Sequence, residues 1–164
     1  MTPGWLAERA LQPCALTGDQ LAALLPQRSP LLLVDAVTAV AAPGRPRPAV
    51  AATLHIRGDE AVLAGHFPGL PVWPGSYTVE GLAQTCALAG ALAAPAAGPV
   101  PALVMVAAIK VKLTALVTPP ARLDYFVAEL TQVGDLHRFE VEASVEGRLV
   151  AAGTLDVAVR RGAA

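Results

Sequence analysis

The sequence predicts an α+β fold in which a curved antiparallel sheet wraps around one long central helix. Residues 76–92 form a long and almost wholly apolar stretch, which is typical of a helix buried on nearly every face. Residues 136–145 alternate strictly between apolar and polar side chains, as half-buried strands do. Several other strand-like segments surround the helix, and a sheet that curls around it buries both apolar surfaces at once.

The first part of the chain predicts a short helix followed by a β-hairpin. The helix covers residues 19–25, with its first residue, an aspartate, as the expected N-cap and Pro26 as its end. Residues 31–40 and 49–56 are aliphatic and β-branched, and each predicts a strand. The Pro/Gly-rich segment 43–48 between them predicts the turn of the hairpin.

The middle of the chain predicts a rigid loop, the central helix and one further strand. Residues 65–75 are rich in proline and glycine and predict the loop, and the helix runs from residue 76 to about residue 92. Residues 95–101 are expected to be a linker, after which 104–116 predicts a strand.

The last third predicts an antiparallel meander. Gly134-Asp135 and Glu146-Gly147 are two-residue hairpin turns. They separate three predicted strands at 123–133, 136–145 and 148–159. The resulting order of two strands, a long apolar helix and four strands predicts the hotdog architecture.

Length and composition predict one globular domain and exclude some partners. The chain has 164 residues, of which 1–18 are expected to be an N-terminal extension and 19–164 a single domain. The formal net charge is −1 and only 15% of residues are charged, so no basic field exists to hold nucleic acid or an anionic membrane surface.

Two further features bear on location. The N-terminus lacks the basic start and apolar run of a secretory signal, so we expect a cytoplasmic protein. The apolar segment 76–94 contains Glu80 and Gln84, which argues against a membrane span.

Cys14 and Cys86 show no metal-ligand or redox spacing, and both are expected to be structural.

Residues 65–84 are predicted to form the active site, in which His66 and Glu80 transfer protons on an acyl thioester. Three prolines and three glycines hold the loop around His66, and histidine is suited to accept a proton near neutral pH. Glu80 lies about one turn inside the helix, and Gln84 at i+4 is placed to hydrogen-bond its carboxylate. The free amides at the helix start, Gly75 first, are expected to polarise the thioester carbonyl.

These residues resemble the β-hydroxyacyl-acyl carrier protein dehydratases of bacterial type II fatty acid synthesis. The resemblance covers roughly residues 20–160 and includes Leu25-Pro26-Gln27-Arg28 and Leu32-Leu33-Val34-Asp35 upstream. Its most specific part is the following set of motifs: Gly65-His66-Phe67-Pro68-Gly69, Pro71-Val72, Pro74-Gly75, Glu80 and Ala83-Gln84.

The resemblance implies a role for each matching residue. His66 would be the base for the α-proton, Glu80 would serve the β-hydroxyl, and the Gly75 amide would bind the thioester carbonyl. The Val72 carbonyl would orient the His66 ring. The remaining residues expected to bind substrate are Phe67, Trp73 and Gln84.

The resemblance also implies the partners. The substrate would be a 3-hydroxyacyl group on the phosphopantetheine thioester of acyl carrier protein, and the product a trans-2-enoyl thioester. The histidine and glutamate of one site would come from different subunits of a homodimer, which could assemble further into a trimer of dimers. No cofactor and no metal are expected.

Three departures from the family pattern concern the substrate more than the chemistry. Gln27 stands where the family usually has histidine, and Ser29 and Leu31 replace aromatic residues. Trp73 replaces a smaller side chain and is expected to shorten or redirect the acyl tunnel. Residues 113–117 lack the aromatic and lysine-rich segment of the family. Acyl chain length and pathway, either housekeeping fatty acids or a specialised lipid or polyketide, therefore stay open.

Two alternatives use the same fold. One is an acyl thioesterase, because hotdog proteins also hydrolyse thioesters and a fold does not fix a reaction. The other is a catalytically inactive subunit that only binds acyl carriers, which the departures at Gln27 and 113–117 would allow.

Overall fold

A computed structural model describes residues 8–93 and 103–160, and within them it confirms the predicted hotdog fold. Seven strands form one antiparallel sheet in the order β1-β2-β3-β5-β6-β7-β4. Within the described residues, two α-helices and a 3-10 turn at Ala61–Ala64 accompany it. The elements are β1 Leu11–Thr17, α1 Asp19–Leu24, β2 Ala36–Ala41, β3 Ala49–Ile56, α2 Gly75–Ala93, β4 Leu103–Leu113, β5 Ala121–Val133, β6 Leu136–Val145 and β7 Arg148–Arg160.

The central helix α2 is buried because it is apolar on almost every face. Its residues from Gly81 to Ala89 are all buried, and they pack mainly against β5, with further contacts to β3, β4, β6 and β7. Inward-facing side chains of the sheet, such as Tyr125, Phe139 and Leu155, complete the core. None of the described helices combines the length and the apolarity that crossing a bilayer requires.

One contact shows how closely the helix approaches the sheet. Tyr125 of β5 lies directly over Gly81, so that a Cβ at Gly81 would lie 2.6 Å from the Cζ atom of the tyrosine ring. Only glycine fits at this point of α2. Burial, together with the charge of Asp35, raises the pKa of the Tyr125 hydroxyl, which therefore stays neutral.

Most predicted elements are confirmed, although β4 ends at Leu113 and not at residue 116. Two further differences have a structural reason. The predicted strand 31–40 begins only at Ala36, because the backbone of Leu31 and Leu33 bonds to the side chain of Gln84 and not to another strand. Asp19 is the first residue of α1 and not its N-cap, a position that Gly18 takes without a side-chain hydrogen bond.

The structure also contains a strand that the sequence pattern does not predict. Leu11–Thr17, placed in the N-terminal extension, forms β1 and pairs with β2. The predicted linker 95–101 lies outside the described residues.

Strand β4 forms one edge of the sheet and carries two kinds of exposed side chain. On the face turned towards the helix, Ile109 and Leu113 are 59% and 51% exposed. On the opposite face lie Lys110 and Lys112, which are also exposed. Long exposed apolar side chains on an edge strand are unusual for a protein that stays monomeric.

Candidate active site

The loop between the 3-10 turn and α2 holds His66 by two bonds to one residue. The Val72 N–H donates to the His66 carbonyl at 2.9 Å, and the Val72 carbonyl lies 2.7 Å from Nδ1 of His66. Because a carbonyl oxygen can only accept, Nδ1 carries the proton in the neutral ring. Nε2 is then the atom with the free lone pair, which is the form that a general base requires.

Hydrogen bonds across the loop keep its shape. The Phe67 and Leu70 backbones exchange a pair of hydrogen bonds of 2.9 Å, and Gly69 between them has a φ of 77°, which glycine adopts readily. The Trp73 N–H donates to the Val117 carbonyl at 2.8 Å and ties the loop to the segment after β4. His66 therefore has a fixed position relative to the sheet.

A cavity of about 280 Å³ opens beside His66. It is mostly apolar, and Thr78 is the polar side chain that the helix contributes. The lining residues are His66, Phe67, Val72, Trp73, Gly75, Thr78, Leu113, Ala115, Leu116, Val117 and Val150. A cavity of this kind suits an acyl chain whose reacting carbons lie near His66.

The N-terminus of α2 reaches the same cavity at Gly75. As the first residue of the helix, Gly75 has an amide N–H without an acceptor in the preceding turn, and the helix dipole adds partial positive charge there. A Cβ at this position would collide with the Leu113 side chain. Glycine therefore leaves room for the Leu113 side chain to pack against the start of the helix.

Glu80 is held separately, by two neutral amides. Gln84 Nε2 donates to Oε1 of Glu80 at 2.8 Å, so the predicted hydrogen bond is present. Gln27 Nε2 donates to the same oxygen at 3.4 Å. Gln84 is itself 1% exposed and fully bonded, since it also donates to the Leu31 carbonyl at 2.7 Å and accepts from the Leu33 N–H at 2.8 Å.

Two aromatic residues lie on either side of the cavity. The Phe67 ring stacks on the His66 ring with centroids 4.1 Å apart, and it is 53% exposed. Trp73 is 4% exposed and packs edge-to-face on Tyr77 at 5.5 Å. Phe67 therefore lies at the mouth of the cavity and Trp73 in its wall.

The structure brings five of the seven predicted site residues together and leaves two apart. The five are His66, Phe67, Val72, Trp73 and Gly75, and all of them line the cavity. Glu80 and Gln84 are not among its lining residues, and no hydrogen bond within residues 8–93 and 103–160 joins His66 to Glu80. A site that uses both groups is thus incomplete in one described chain.

Sequence reasoning missed the contact between Gln27 and Glu80. In the sequence, Gln27 stands out only as a departure from a family pattern. The two residues are 53 positions apart, and the only signal that could have found the contact was the closeness of Gln27 to Leu31 and Leu33, which α2 holds through Gln84.

The other two histidines of the chain have structural partners. Nδ1 of His55 lies 3.1 Å from Asp35, and Nδ1 of His137 lies 2.6 Å from the buried Glu129. Burial raises the pKa of the Cys86 thiol well above its ordinary value, so the nucleophilic thiolate is disfavoured.

Comparison with known proteins identifies the family of this chain. A FabA-like domain matches residues 25–154. The FabZ 3-hydroxyacyl-[acyl-carrier-protein] dehydratase of Allorhizobium ampelinum is 35% identical over 129 residues, which cover 78% of this chain and 79% of that protein. The FabZ dehydratase of an Anaeromyxobacter species is also 35% identical, over 152 residues that cover 88% and 90%.

Among solved structures, the dehydratase heterocomplex ApeI:P from Xenorhabdus doucetiae has a similar fold. Its TM-score is 0.69 at 21% identity, covering 86% of this chain and 91% of that one. The fold and the matched domain define a hotdog protein of the FabA-like class. Within that class, the chain belongs to the FabZ family of 3-hydroxyacyl-[acyl-carrier-protein] dehydratases.

Proposed function

We propose that this protein removes water from a 3-hydroxyacyl group on acyl carrier protein and forms the trans-2-enoyl thioester, with His66 and Glu80 as its catalytic residues. The observation that carries the proposal is the fixed His66 ring, whose Nε2 is free beside an apolar cavity that ends at the amide of Gly75. Membership of the FabZ family supplies the substrate class and the reaction.

The reaction follows from the placement of these groups. The thioester carbonyl accepts a hydrogen bond from the Gly75 N–H, which stabilises the negative charge that develops on its oxygen. His66 Nε2 removes the α-proton, and protonated Glu80 donates its proton to the β-hydroxyl. The C–O bond breaks, water leaves and the α,β double bond forms. Transfer of the proton from His66 back to Glu80 through solvent restores the starting state.

We also propose that the working unit is a homodimer in which Glu80 of a second copy completes the site around His66. Within one chain, Glu80 does not line the His66 cavity. The edge strand β4 borders this cavity at Leu113 and exposes Ile109 and Leu113 towards the helix side. A second copy that covers this edge buries these side chains and places its own groups next to the cavity.

The test is incubation of the purified protein with acyl carrier protein that bears 3-hydroxyacyl groups of several lengths. Mass spectrometry of the carrier should show loss of one water from the acyl group. His66→Ala and Glu80→Gln should each lower turnover by roughly 10³-fold or more, whereas His55→Ala, which changes an exposed histidine outside the cavity, should leave it unchanged.

Two results would contradict the proposal. Release of free thiol from the carrier would indicate hydrolysis, as in the thioesterase alternative. Binding of the acyl carrier without any change in acyl mass, at every chain length, would indicate the inactive subunit.

A further inference from the structure

We infer that Gln27 is a positioning residue for Glu80, which fixes Oε2 of that carboxyl group as the oxygen that serves the substrate hydroxyl. This inference rests on the proposed function, because it assigns a role within the same site. It is carried by the contact of Gln27 with Glu80 and by the way the segment around Gln27 is held.

The two oxygens of Glu80 differ in their hydrogen bonds. Gln84 and Gln27 both donate from Nε2 to Oε1, at 2.8 and 3.4 Å, whereas Oε2 makes no hydrogen bond to any described residue. An oxygen that accepts from two N–H groups is a poor place for a proton. When Glu80 is protonated, the proton therefore resides on Oε2, and the carboxyl group presents a single defined O–H to the substrate.

The Gln27 amide has one satisfied and one unsatisfied end. Its Oε1 is buried and accepts no hydrogen bond from any described residue. In the flipped orientation, the carbonyl oxygen of the Gln27 amide would face the carboxylate of Glu80, and the two would repel each other. Donation to Glu80 therefore keeps the amide in the orientation that leaves its own Oε1 without a hydrogen bond. A buried acceptor without a donor is unfavourable for folding. The amide of Gln27 therefore lowers the stability of the fold at this place.

Hydrogen bonds on both sides of Gln27 hold the segment that carries it. The Arg28 guanidinium donates to the carbonyls of Ala22, Leu25 and Gln27 at 2.7 to 2.9 Å and so fixes the chain at the end of α1. On the other side, the Leu31 carbonyl and the Leu33 N–H are bonded to Gln84. The segment that carries Gln27 is thus fixed at both ends, and a fixed donor directs Glu80 better than a mobile one.

The decisive variant is Gln27→Met, which keeps the length of the side chain and removes both polar atoms. We expect kcat to fall roughly ten-fold with KM changed less than about two-fold, because the lost contact acts on the proton donor and not on substrate binding. Thermal stability should stay the same or rise, since the unsatisfied Oε1 is gone. A merely structural role predicts the opposite, namely lower stability and unchanged turnover per folded molecule.

Three additional measurements complete the test. Gln27→His, which retains an N–H donor, should recover most of the lost kcat, and the matched control Gln132→Leu, at an exposed glutamine, should behave as wild type. If Gln27→Met does not fold, Gln27→Leu replaces it. Crystal structures of wild type and variant give a readout that needs no activity, in which Glu80 should leave its single orientation once Gln27 no longer donates.

Different experimental results would overturn the role of Gln27 and the proposed function. Wild-type turnover in Gln27→Met with Glu80 unmoved would overturn the role of Gln27 and leave the dehydratase proposal intact. Loss of kcat in Gln27→His as large as in Gln27→Met would also overturn it, because shape and not donation would then matter. A wild-type protein that dehydrates no substrate would overturn the proposed function, while the orientation of Glu80 would still test Gln27.

Discussion

At the scale of single residues, the two proton-transfer groups are supported in different ways. His66 is bonded to Val72, six positions away in its own loop, whereas Glu80 is bonded to Gln84 on its own helix and to Gln27 on a distant segment. Local support can be read from a motif, and the bond to Val72 follows the family resemblance. Support from a distant segment depends on how the chain packs, which is why the contact with Gln27 was not predicted.

Trp73 is the residue that we expect to limit the acyl chain. It lies buried in the wall of a cavity of about 280 Å³. In Trp73→Met the cavity gains room for about two more methylenes, each worth about 0.8 kcal/mol when buried. The ratio of kcat/KM for longer over shorter 3-hydroxyacyl carriers should therefore rise about ten-fold, as measured by competition between two chain lengths in one reaction.

The control for Trp73 is Phe139→Leu, which removes an aromatic ring from the core away from the cavity. This variant should lose stability without changing the preferred chain length. An unchanged ratio in Trp73→Met would show that another part of the wall sets the length.

At the scale of elements, strands with a strong pattern were predicted well and elements held by side chains were not. The bounds of β3 and β6 match the prediction residue for residue, because each has a clear pattern and a turn at its end. The prediction failed at 31–35, where the side chain of Gln84 replaces strand pairing. It also missed β1, a short edge strand that contains Pro13, since proline is a poor strand signal.

The packing of α2 on β5 makes opposite predictions for two glycines of the same helix. Gly81→Ala forces the Tyr125 ring away and should destabilise the protein by about 1–3 kcal/mol. At Gly90 a Cβ meets nothing within 4 Å, so Gly90→Ala should stabilise by up to about 1 kcal/mol through helix propensity. Denaturant unfolding of both variants measures the difference, and equal effects would contradict the close approach of helix and sheet.

The link between β6 and β7 predicts a pH dependence of stability. Arg138 donates twice to Asp156, at 2.6 and 2.7 Å, and this bond holds the pKa of the Asp156 carboxyl below its ordinary value. A lowered pKa in the folded state means that the pair stabilises the fold above the ordinary aspartate pKa of about 4 and loses this effect as the pH falls further.

Thermal melting of wild type and Asp156→Asn between pH 3 and 7 tests this link. The wild type should melt at the higher temperature at pH 6 to 7, and the two curves should converge towards pH 3. A constant difference across the range would show that Asp156 does not act through its charge.

At the scale of the whole molecule, the described residues keep His66 and Glu80 apart and leave the edge strand β4 with exposed apolar side chains. Among the described residues that line the cavity beside His66 there is no carboxylate, and Glu80 lies outside it. The sequence predicted this division only through the family resemblance, since no pattern within one chain shows what a second copy contributes. The boundary between an N-terminal extension and a domain from residue 19 stays a prediction.

Co-expression of His66→Ala with Glu80→Gln tests the shared site. Each variant alone has no intact site, but a mixed dimer has one site in which both groups are wild type. Since half of randomly formed dimers are mixed and each carries one intact site of two, activity should return to about a quarter of the wild-type level. Co-expression of His66→Ala with the double variant, which leaves no intact site, is the control and should stay inactive, and a site contained in one chain predicts no recovery in either case.

The two lysines of strand β4 make this edge of the sheet accessible to selective chemical labelling. Lys110 and Lys112 are the only lysines among the 164 residues, and both lie exposed on this edge strand. Any reagent that acylates amines therefore has two side-chain targets, and both lie within one strand beside the cavity. Apart from the terminal amine, the rest of the surface stays unlabelled. Labelling followed by peptide mapping therefore measures how accessible this one edge is. If the two lysines become less labelled as the protein concentration is raised, the edge is covered in solution.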